Sequence, residues 1–413
     1  MKICIVSSYD DLCGNASYTK ALEKELKKRN HEVEILDLKS NIFNSRIDGS
    51  SKLANDTINE FIEKIKKADY TNFQFEAVLY GAKAKVCLKR FSKLIHACKN
   101  GAFSVTLHRL DYTTQYMCTS LNSIVKTIQK KKKVSSIKKL IRKIKAYFLK
   151  PKFDNTNVVD HIIKMTAKKD GLIIVHTRRE KDIIEKKYKN IFVVDHPICI
   201  NSEEDIANIK TSLEKDDYRK KIGIPNNTKN IGIFGFVSAY KDFETAITSL
   251  TNLPQEYNLY IFGGQHPLSF SKNNSGDSYI HGLIDLAKTL NVDNRVHFMG
   301  AQETDEKMLK AMLICDYIVL PYLECGQSGS AVASMALEAS KNVFLSRNAC
   351  FNEFKKYTKE SFFSFDMGNY KELTEKIVSL PDKEEIYTNR GNFLKTYNIK
   401  TNIDKYLSIF NKK

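Results

Sequence analysis

Short apolar runs alternate with amphipathic stretches along the chain, and this alternation predicts an α/β protein. Lys2–Ser7 is a strand-like apolar run, residues 18–30 keep apolar positions at helical spacing, and residues 32–38 form a second strand-like run. Parallel neighbouring strands need a crossover such as this helix, so we expect the two runs to pair in parallel. The pattern therefore predicts a doubly wound parallel sheet.

The same alternation continues in two blocks on either side of a polar, acid-rich stretch. Strand-like runs in the first block lie at residues 77–80, 103–107, 171–175 and 191–194. Those in the second block lie at residues 230–236, 257–262, 295–299, 317–320 and 343–346, with helical patterns at 242–252, 279–290, 304–314 and 330–340. We expect two Rossmann-like doubly wound domains, at 1–199 and 230–384, with a linker region at 200–229 and a final helix at 385–413.

The composition fits two folded domains. The 413 residues are 42% hydrophobic and 10% aromatic, and no apolar run approaches the ~20 residues that cross a bilayer. The nine cysteines form no Cys-x-x-Cys pair, which is typical of reduced thiols. We therefore expect a cytoplasmic protein without a signal peptide.

The net charge of +18 is concentrated in one segment, residues 126–152, which holds twelve Lys and Arg and no Asp or Glu. Its apolar residues fall on one helical face: Ile137, Leu140, Ile141, Ile144 and Phe148. Two interpretations stay open, a basic amphipathic helix on an anionic membrane surface or an apolar stripe packed on the domain core. Nucleic acid binding is disfavoured, because only Tyr147 and Phe148 are present for base stacking.

Two turns of the second block suit phosphate binding. One strand runs into Gly235, and Lys241 follows six residues later at the mouth of a helix, where a diphosphate would meet an ammonium and free helix N–H groups. The loop at residues 321–330 is rich in Gly and Ser, so its backbone N–H groups can approach phosphate oxygens closely. On its own, a lysine at a helix start is more often solvated than functional.

Six segments of the chain, taken in order, resemble the GT-B glycosyltransferases of the group-1/family-4 type. They are residues 27–33 (Lys-Lys-Arg-Asn-His-Glu-Val), 105–108 (Val-Thr-Leu-His), 173–177, 193–197, 235–241 and 295–300 (Arg-Val-His-Phe-Met-Gly). The resemblance covers nearly the whole chain. It implies an N-terminal acceptor domain and a C-terminal nucleotide-sugar domain that face each other across a cleft, with the last helix returning to the N-terminal domain.

The resemblance also implies roles for individual residues. It places the catalytic residue His108 near the reacting sugar, Lys241 on the departing diphosphate and Glu324 on a sugar hydroxyl. The predicted donor-binding residues are Gly14, Asn15, Gly235, Lys241, Gly300, Gln327, Ser328, Gly329 and Ser330. Without the resemblance, the favoured interpretation of His108 is a structural histidine hydrogen-bonded to backbone.

One motif of that family is missing. Many members carry Glu-x7-Glu after the strand that corresponds to residues 317–320, but here Glu324 is followed eight residues later by Val332. Aligning on the end of the helix instead places Gln327 and Met335 at the two positions. Phosphate binding is expected to survive this change, whereas sugar recognition has to use other residues.

These observations predict a retaining glycosyltransferase that moves a sugar from a nucleotide-sugar donor to a glycan or lipid-linked saccharide acceptor. No cofactor is expected besides that co-substrate, and no His and carboxylate cluster at metal-ligand spacing appears, so the reaction is predicted to be metal-independent. The expected partners are the donor, the glycan or glycolipid acceptor and, through residues 126–152, an anionic membrane face. The alternative hypothesis is a non-catalytic module that binds a nucleotide or a partner, because the missing motif is typical of lost turnover.

Overall fold

A computed structural model describes residues 1–10, 13–43, 50–81, 83–110, 155–265, 278–324, 326–340, 342–380 and 384–408. The chain forms two compact units, Met1–His196 with Ile403–Lys413 and Pro197–Asn402. The basic segment at 126–152 lies outside the described residues, so its two interpretations stay open.

The first unit is built on a six-stranded parallel sheet with the strand order β2-β1-β3-β4-β5-β6. Its strands are β1 (Lys2–Ser7), β2 (Glu32–Asp37), β3 (Tyr70–Phe75), β4 (Phe103–Leu107), β5 (Leu172–Val175) and β6 (Phe192–Asp195). Its described helices are α1 (Gly14–Lys28), α2 (Ser40–Phe43), α3 (Ser50–Lys67), α4 (Ala77–Tyr80), α5 (Ala84–Ala97), α6 (Asn155–Lys168) and α7 (Arg178–Lys187). Helices cover a parallel sheet on both faces, which is why β3, β4 and β5 are buried along their whole length.

The second unit repeats this plan with the strand order β12-β11-β10-β7-β8-β9. Its strands are β7 (Lys229–Phe234), β8 (Tyr257–Phe262), β9 (Val296–Phe298), β10 (Tyr317–Leu320), β11 (Val343–Ser346) and β12 (Phe363–Phe365). Its described α-helices are α8 (Glu203–Ser212), α9 (Lys215–Lys221), α10 (Phe243–Ser249), α11 (Ser278–Thr289), α12 (Asp305–Ile314), α13 (Ala331–Ala339), α14 (Ala349–Thr358), α15 (Tyr370–Ser379) and α16 (Glu384–Thr396). The predicted pair of doubly wound parallel sheets is confirmed.

Short polar side chains fix where many of these helices begin. Each accepts a hydrogen bond from the backbone N–H three residues later, which satisfies a donor that has no partner inside the helix. These capping residues are Thr177, Ser202, Thr304, Ser330, Asn348 and Asn369. The loop that precedes α13 therefore ends at Ser330, where the sequence places the candidate donor loop.

The strand orders locate one topological switch point in each sheet. In the first sheet the chain leaves β1 towards β2 on one side and returns to β3 on the other, so the switch lies between β1 and β3. In the second sheet the corresponding pair is β7 and β10. Open α/β sheets bind ligands outside the carboxyl ends of the strands at this point.

Several predicted elements differ from the structure. Residues 77–80 were predicted as a strand, but they form the single turn α4, and the strand is β3. The prediction was wrong because β3 buries the polar residues Asn72 and Gln74, so the segment does not look like a buried strand. The linker region at 200–229 contains the helices α8 and α9, both within the second unit.

The end of the chain forms two helices rather than the single one expected. A break after α16 is followed by α17 (Ile399–Leu407), and Ile403–Lys413 belongs to the first unit. Tyr406 anchors this segment: its backbone carbonyl accepts a hydrogen bond from the buried Tyr70 hydroxyl at 2.9 Å, and its own hydroxyl lies 2.9 Å from Thr106 Oγ1. Thr106 and Tyr406, which are 300 residues apart in the sequence, therefore meet in one core.

Candidate functional site

The carboxyl edge of the second sheet is built from glycine turns packed backbone against backbone. Gly235, directly after β7, has φ of +90°, a conformation that favours glycine, and its N–H donates to the Phe262 carbonyl at 3.0 Å. A Cβ on Gly263 would collide with the carbonyl oxygen of Gly235. The turns after β7 and β8 therefore approach each other only because both positions are glycine.

Lys241 lies in this edge rather than in solvent. It ends the short 3-10 turn Ala239–Lys241, and its side chain is only 3% exposed. Its Nζ donates to the Phe234 carbonyl at 3.1 Å and lies 5.5 Å from the centroid of the Tyr322 ring. A Cβ on Gly235 would collide with this ammonium. The lysine and the glycine that the sequence paired are thus in contact, and the cation is held in one place.

The loop between β10 and α13 borders the same edge. The N–H of Leu323 donates to the Tyr240 carbonyl at 2.7 Å, which ties this loop to the turn that carries Lys241. Ser328 is buried, and Ser330 caps α13, whose nine residues have no acid in the first turn. The first N–H groups of a helix have no internal acceptor and carry a partial positive charge. This edge can therefore hold a phosphate between an ammonium and a helix N-terminus.

The remaining predicted residues of the second unit lie around this edge in different ways. Both carboxylate oxygens of the exposed Glu324 accept backbone hydrogen bonds, from Gly326 at 3.1 Å and Ala349 at 2.8 Å, so this side chain braces the loop. Gln327 and Gly329 are partly buried. Gly300 has φ of +74° at the end of β9 and is exposed. The sugar-binding role of Glu324 stays a prediction.

In the first unit, Gly14 and Asn15 begin α1, next to the switch point. No atom lies within 4 Å of a Cβ built on Gly14, the helix has no acid in its first turn, and Cys13 provides no side-chain cap. The N–H groups of Ala16 and Ser17 already donate to the Cys13 carbonyl, at 3.1 and 3.2 Å, so Gly14 and Asn15 are the residues that lie at the helix start itself. A negatively charged group would be favoured at this position.

His108 lies in a buried hydrogen-bond network instead of an open site. Its Nε2 is 2.6 Å from Gln74 Oε1, and its Nδ1 is 3.1 Å from Nε2 of His176. His176 Nδ1 in turn donates to the His196 carbonyl at 3.1 Å. Burial lowers the pKa of His176 to about 4, and burial together with His176 holds the pKa of His108 well below its usual value.

Both rings are therefore neutral at pH 7. Because His176 Nδ1 donates to the His196 carbonyl, His108 Nδ1 donates to His176 Nε2, and the unprotonated Nε2 of His108 lies against the Gln74 amide. Because both nitrogens of His108 are used inside the unit, the geometry favours a structural role for the ring, and its predicted place near the reacting sugar is untested.

Sequence reasoning missed the other members of this network. Gln74 and Thr106 are buried within β3 and β4, and the Tyr406 hydroxyl is within hydrogen-bond distance of both and of Tyr18. The alternation of polar and aromatic residues in β3 is the sequence pattern that could have indicated a strand with buried polar side chains. It also missed Glu76, a carboxylate that follows β3 directly.

Comparisons with known proteins decide the family. Residues 214–396 match the family model described as glycosyl transferases group 1. This match covers most of the second unit, Pro197–Asn402. The predicted family, and with it the enzyme class glycosyltransferase, is confirmed. No curated protein matches the chain by sequence.

Solved structures match the whole chain. HepE from Anabaena in complex with UDP shares 14% identity at a TM-score of 0.63, covering 99% of this chain and 100% of that one. Sucrose-phosphate synthase from Thermosynechococcus elongatus shares 16% identity at a TM-score of 0.65, covering 100% of both chains. A trehalose-phosphate synthase from Burkholderia xenovorans shares 8% at a TM-score of 0.65, covering 99% of both. At these identities the likeness shows the fold, which is that of two-domain GT-B glycosyltransferases.

Two searches of the described residues found nothing. No group of three His, Cys, Asp or Glu side chains there is arranged to hold a metal ion. Within the same ranges, no helix combines the length and the apolar character needed to cross a membrane. Metal independence stays a prediction.

Proposed function

We propose that this glycosyltransferase transfers a sugar from a nucleoside-diphosphate sugar, with the diphosphate bound at the carboxyl edge of the second sheet. The observation that carries the proposal is the buried ammonium of Lys241, in contact with Gly235 at the β7 end of the β7–β10 switch point. The N-terminus of α13 and the buried Ser328 add hydrogen-bond donors on the β10 side. Such an edge suits a dianionic leaving group.

The chemistry follows from where charge develops. When the bond between the sugar C1 and the phosphate oxygen breaks, its electron pair stays on the departing diphosphate. An ammonium and amides already fixed at that position stabilise the charge without reorganising, so they lower the barrier more than they tighten ground-state binding. In the retaining reaction that we infer, the acceptor hydroxyl attacks C1 on the face that the diphosphate leaves and gives its proton to a phosphate oxygen.

UDP-glucose is the first donor to test. HepE was solved with UDP and with UDP-glucose, and the trehalose-phosphate synthase is described as UDP-forming. We infer that Lys241 and the α13 N-terminus neutralise the diphosphate here without a metal ion. The acceptor we propose is a glycan or a lipid-linked saccharide; if it is membrane-bound, residues 126–152 are the segment to test for binding to anionic vesicles.

The experiment is a thermal-shift screen of the full chain against UDP, GDP, ADP and CMP in EDTA, followed by an assay for nucleotide release from the matching sugar nucleotides. A ligand that binds only the folded state raises the melting temperature. Stabilisation by one nucleotide in EDTA, with release of that nucleotide from its sugar conjugate, is the expected result. No stabilisation by any of the four would contradict the proposal.

A second candidate function rests on the missing Glu-x7-Glu motif. Met335, at the position of the second Glu in one alignment, is a buried residue of α13. Its side chain has no carboxylate to accept a hydrogen bond from a ribose hydroxyl. A non-catalytic module would bind the nucleotide but release none from any sugar conjugate. The release assay therefore separates the two functions.

A further inference from the structure

We propose that Glu76 is a hydroxyl-binding residue, whose carboxylate accepts hydrogen bonds from a saccharide held outside the carboxyl ends of β1 and β3. This inference rests on the proposed function and adds a substrate contact in the first unit. Neither the family match nor the neighbouring structures assign this residue.

Glu76 stands at the switch point of the first sheet. It is the residue between β3 and α4, and the strand order places β3 beside β1, whose following helix begins at Gly14. On its other side, the N–H of His108 at the end of β4 donates to the Phe75 carbonyl at 3.3 Å. The carboxylate is therefore carried at the edge where open α/β sheets bind ligands.

The backbone around Glu76 is held firmly. The buried Tyr80 hydroxyl donates to the Gln74 carbonyl at 3.1 Å, so α4 is tied back onto the end of β3. Arg90 Nη1 donates to the Tyr80 carbonyl at 3.0 Å and closes the other end of the turn. Sites on rigid elements hold a ligand contact more accurately than sites on loops.

Glu76 is partly buried, yet it forms no hydrogen bond or ion pair with any residue in the described ranges. Other buried acids of the chain are bonded: Glu25 to Arg29, Glu180 to Thr177 and Glu338 to Asn201. Burial raises the pKa of Glu76, and the charge of Arg109 offsets this only in part. A desolvated carboxylate without a hydrogen-bond partner opposes folding. Its location at a switch point therefore indicates that a ligand supplies the missing hydrogen bonds.

The chemistry of the surroundings selects the ligand. An ionised carboxylate only accepts hydrogen bonds, so its partner has to donate. A cation would be opposed by the neighbouring N-terminus of α1, which favours negative charge. A neutral polyol satisfies both conditions, and a sugar presents several hydroxyl donors on one face. We assign the hydroxyl to the acceptor saccharide.

The test compares Glu76→Gln with wild type, and Glu63→Gln serves as a matched control because Glu63 is exposed and paired with Lys66 on α3. Affinities for UDP and UDP-glucose, UDP release with water or octyl glucoside as acceptor, and melting temperatures are measured. We expect unchanged UDP affinity and an equal or higher melting temperature, since the unpaired charge is removed. We expect the KM for octyl glucoside to rise about tenfold or more, while the affinity for UDP-glucose stays that of wild type.

Equal values for Glu76→Gln and wild type in all these measurements would overturn the inference and leave the proposed function standing. A lower melting temperature with a parallel loss of UDP affinity would also overturn it, because that pattern marks a structural residue. A wild-type protein that binds no nucleotide would refute the proposed function, and this inference would fall with it.

Discussion

The two sheets of this chain share one plan but present opposite chemistry at their carboxyl edges. In the first, the ends of β3, β4 and β5 carry polar side chains that hydrogen-bond to one another, with Gln74 and His176 on either side of His108. In the second, the corresponding edge is opened by Gly235 and Gly263, and Lys241 is folded into it. The fold supplies the position of a site in both sheets, while the local residues decide whether that position is filled from within or left for a ligand.

This difference separates residues that hold the structure from residues that bind. A buried, neutral histidine held between side chains contributes order, whereas a fixed ammonium beside a helix N-terminus contributes an electrostatic field. Glu76 in the first unit departs from this division, because its carboxylate has no bonded partner among the described residues. The predictions below test this division.

The largest effect is expected for Lys241→Ala, which removes the cation from the second edge. We expect turnover of UDP-glucose to fall by about 100-fold or more, because the charge on the departing diphosphate loses its main stabilising group. Steady-state kinetics of UDP release measure it. Lys229→Ala at the amino end of the same strand is the control, and a Lys241→Ala rate within twofold of wild type would refute the role.

Next is Tyr406→Phe in the first unit, which removes a buried hydroxyl bonded to Thr106 and Tyr18. We expect the free energy of unfolding to fall by about 2 kcal/mol, because buried polar partners are left unsatisfied. Urea denaturation measures it, with Tyr370→Phe as control, since the Tyr370 hydroxyl makes no hydrogen bond within the described residues. If Tyr406→Phe lost UDP affinity without losing stability, the result would contradict the structural role assigned to Tyr406.

Gly235→Ala tests the contact between the glycine turn and the ammonium. The added methyl group would collide with Lys241 Nζ and would force alanine into φ of +90°. We expect UDP affinity to fall about tenfold by calorimetry, since the ammonium is displaced. Gly282→Ala in α11, where a Cβ meets no atom within 4 Å, is expected to bind UDP as wild type does.

The last prediction concerns a buried acid of the second unit away from the edge, whose effect on stability is spread over a range of pH. Burial raises the pKa of Glu338 to about 7, against 4.5 for an ordinary Glu, although Asn201 donates a hydrogen bond to it. The folded state therefore binds more protons than the unfolded state between pH 4.5 and 7, and this group lowers stability as the pH rises through that window, by about 1 kcal/mol per pH unit.

The measurement is the difference between the unfolding free energies of wild type and Glu338→Gln across that range. The subtraction matters because His176, with its pKa lowered to about 4, contributes the opposite slope as the pH falls from 6.5 to 4. A pH-independent difference between the two proteins would show that Glu338 does not titrate there.

What could be predicted from the sequence was local. The spacing of Gly235 and Lys241, and the small residues before α13, are visible along one stretch of chain, and the structure brings them together. The network around His108 could not be predicted, because Gln74, His176 and Tyr406 are far apart in sequence and meet only in the folded unit. Glu76 was missed for a related reason, since the misplaced strand at 77–80 hid its position at a strand end.

The most direct test of the account is the affinity of UDP for wild type and for Lys241→Met, measured by isothermal titration calorimetry in EDTA, with Lys229→Met as the charge-matched control. Methionine keeps an apolar stem of similar length and removes the ammonium, together with its charge and its hydrogen bond to the Phe234 carbonyl. The account predicts at least about a tenfold loss for Lys241→Met and none for Lys229→Met. Equal UDP affinities for wild type and Lys241→Met would contradict it.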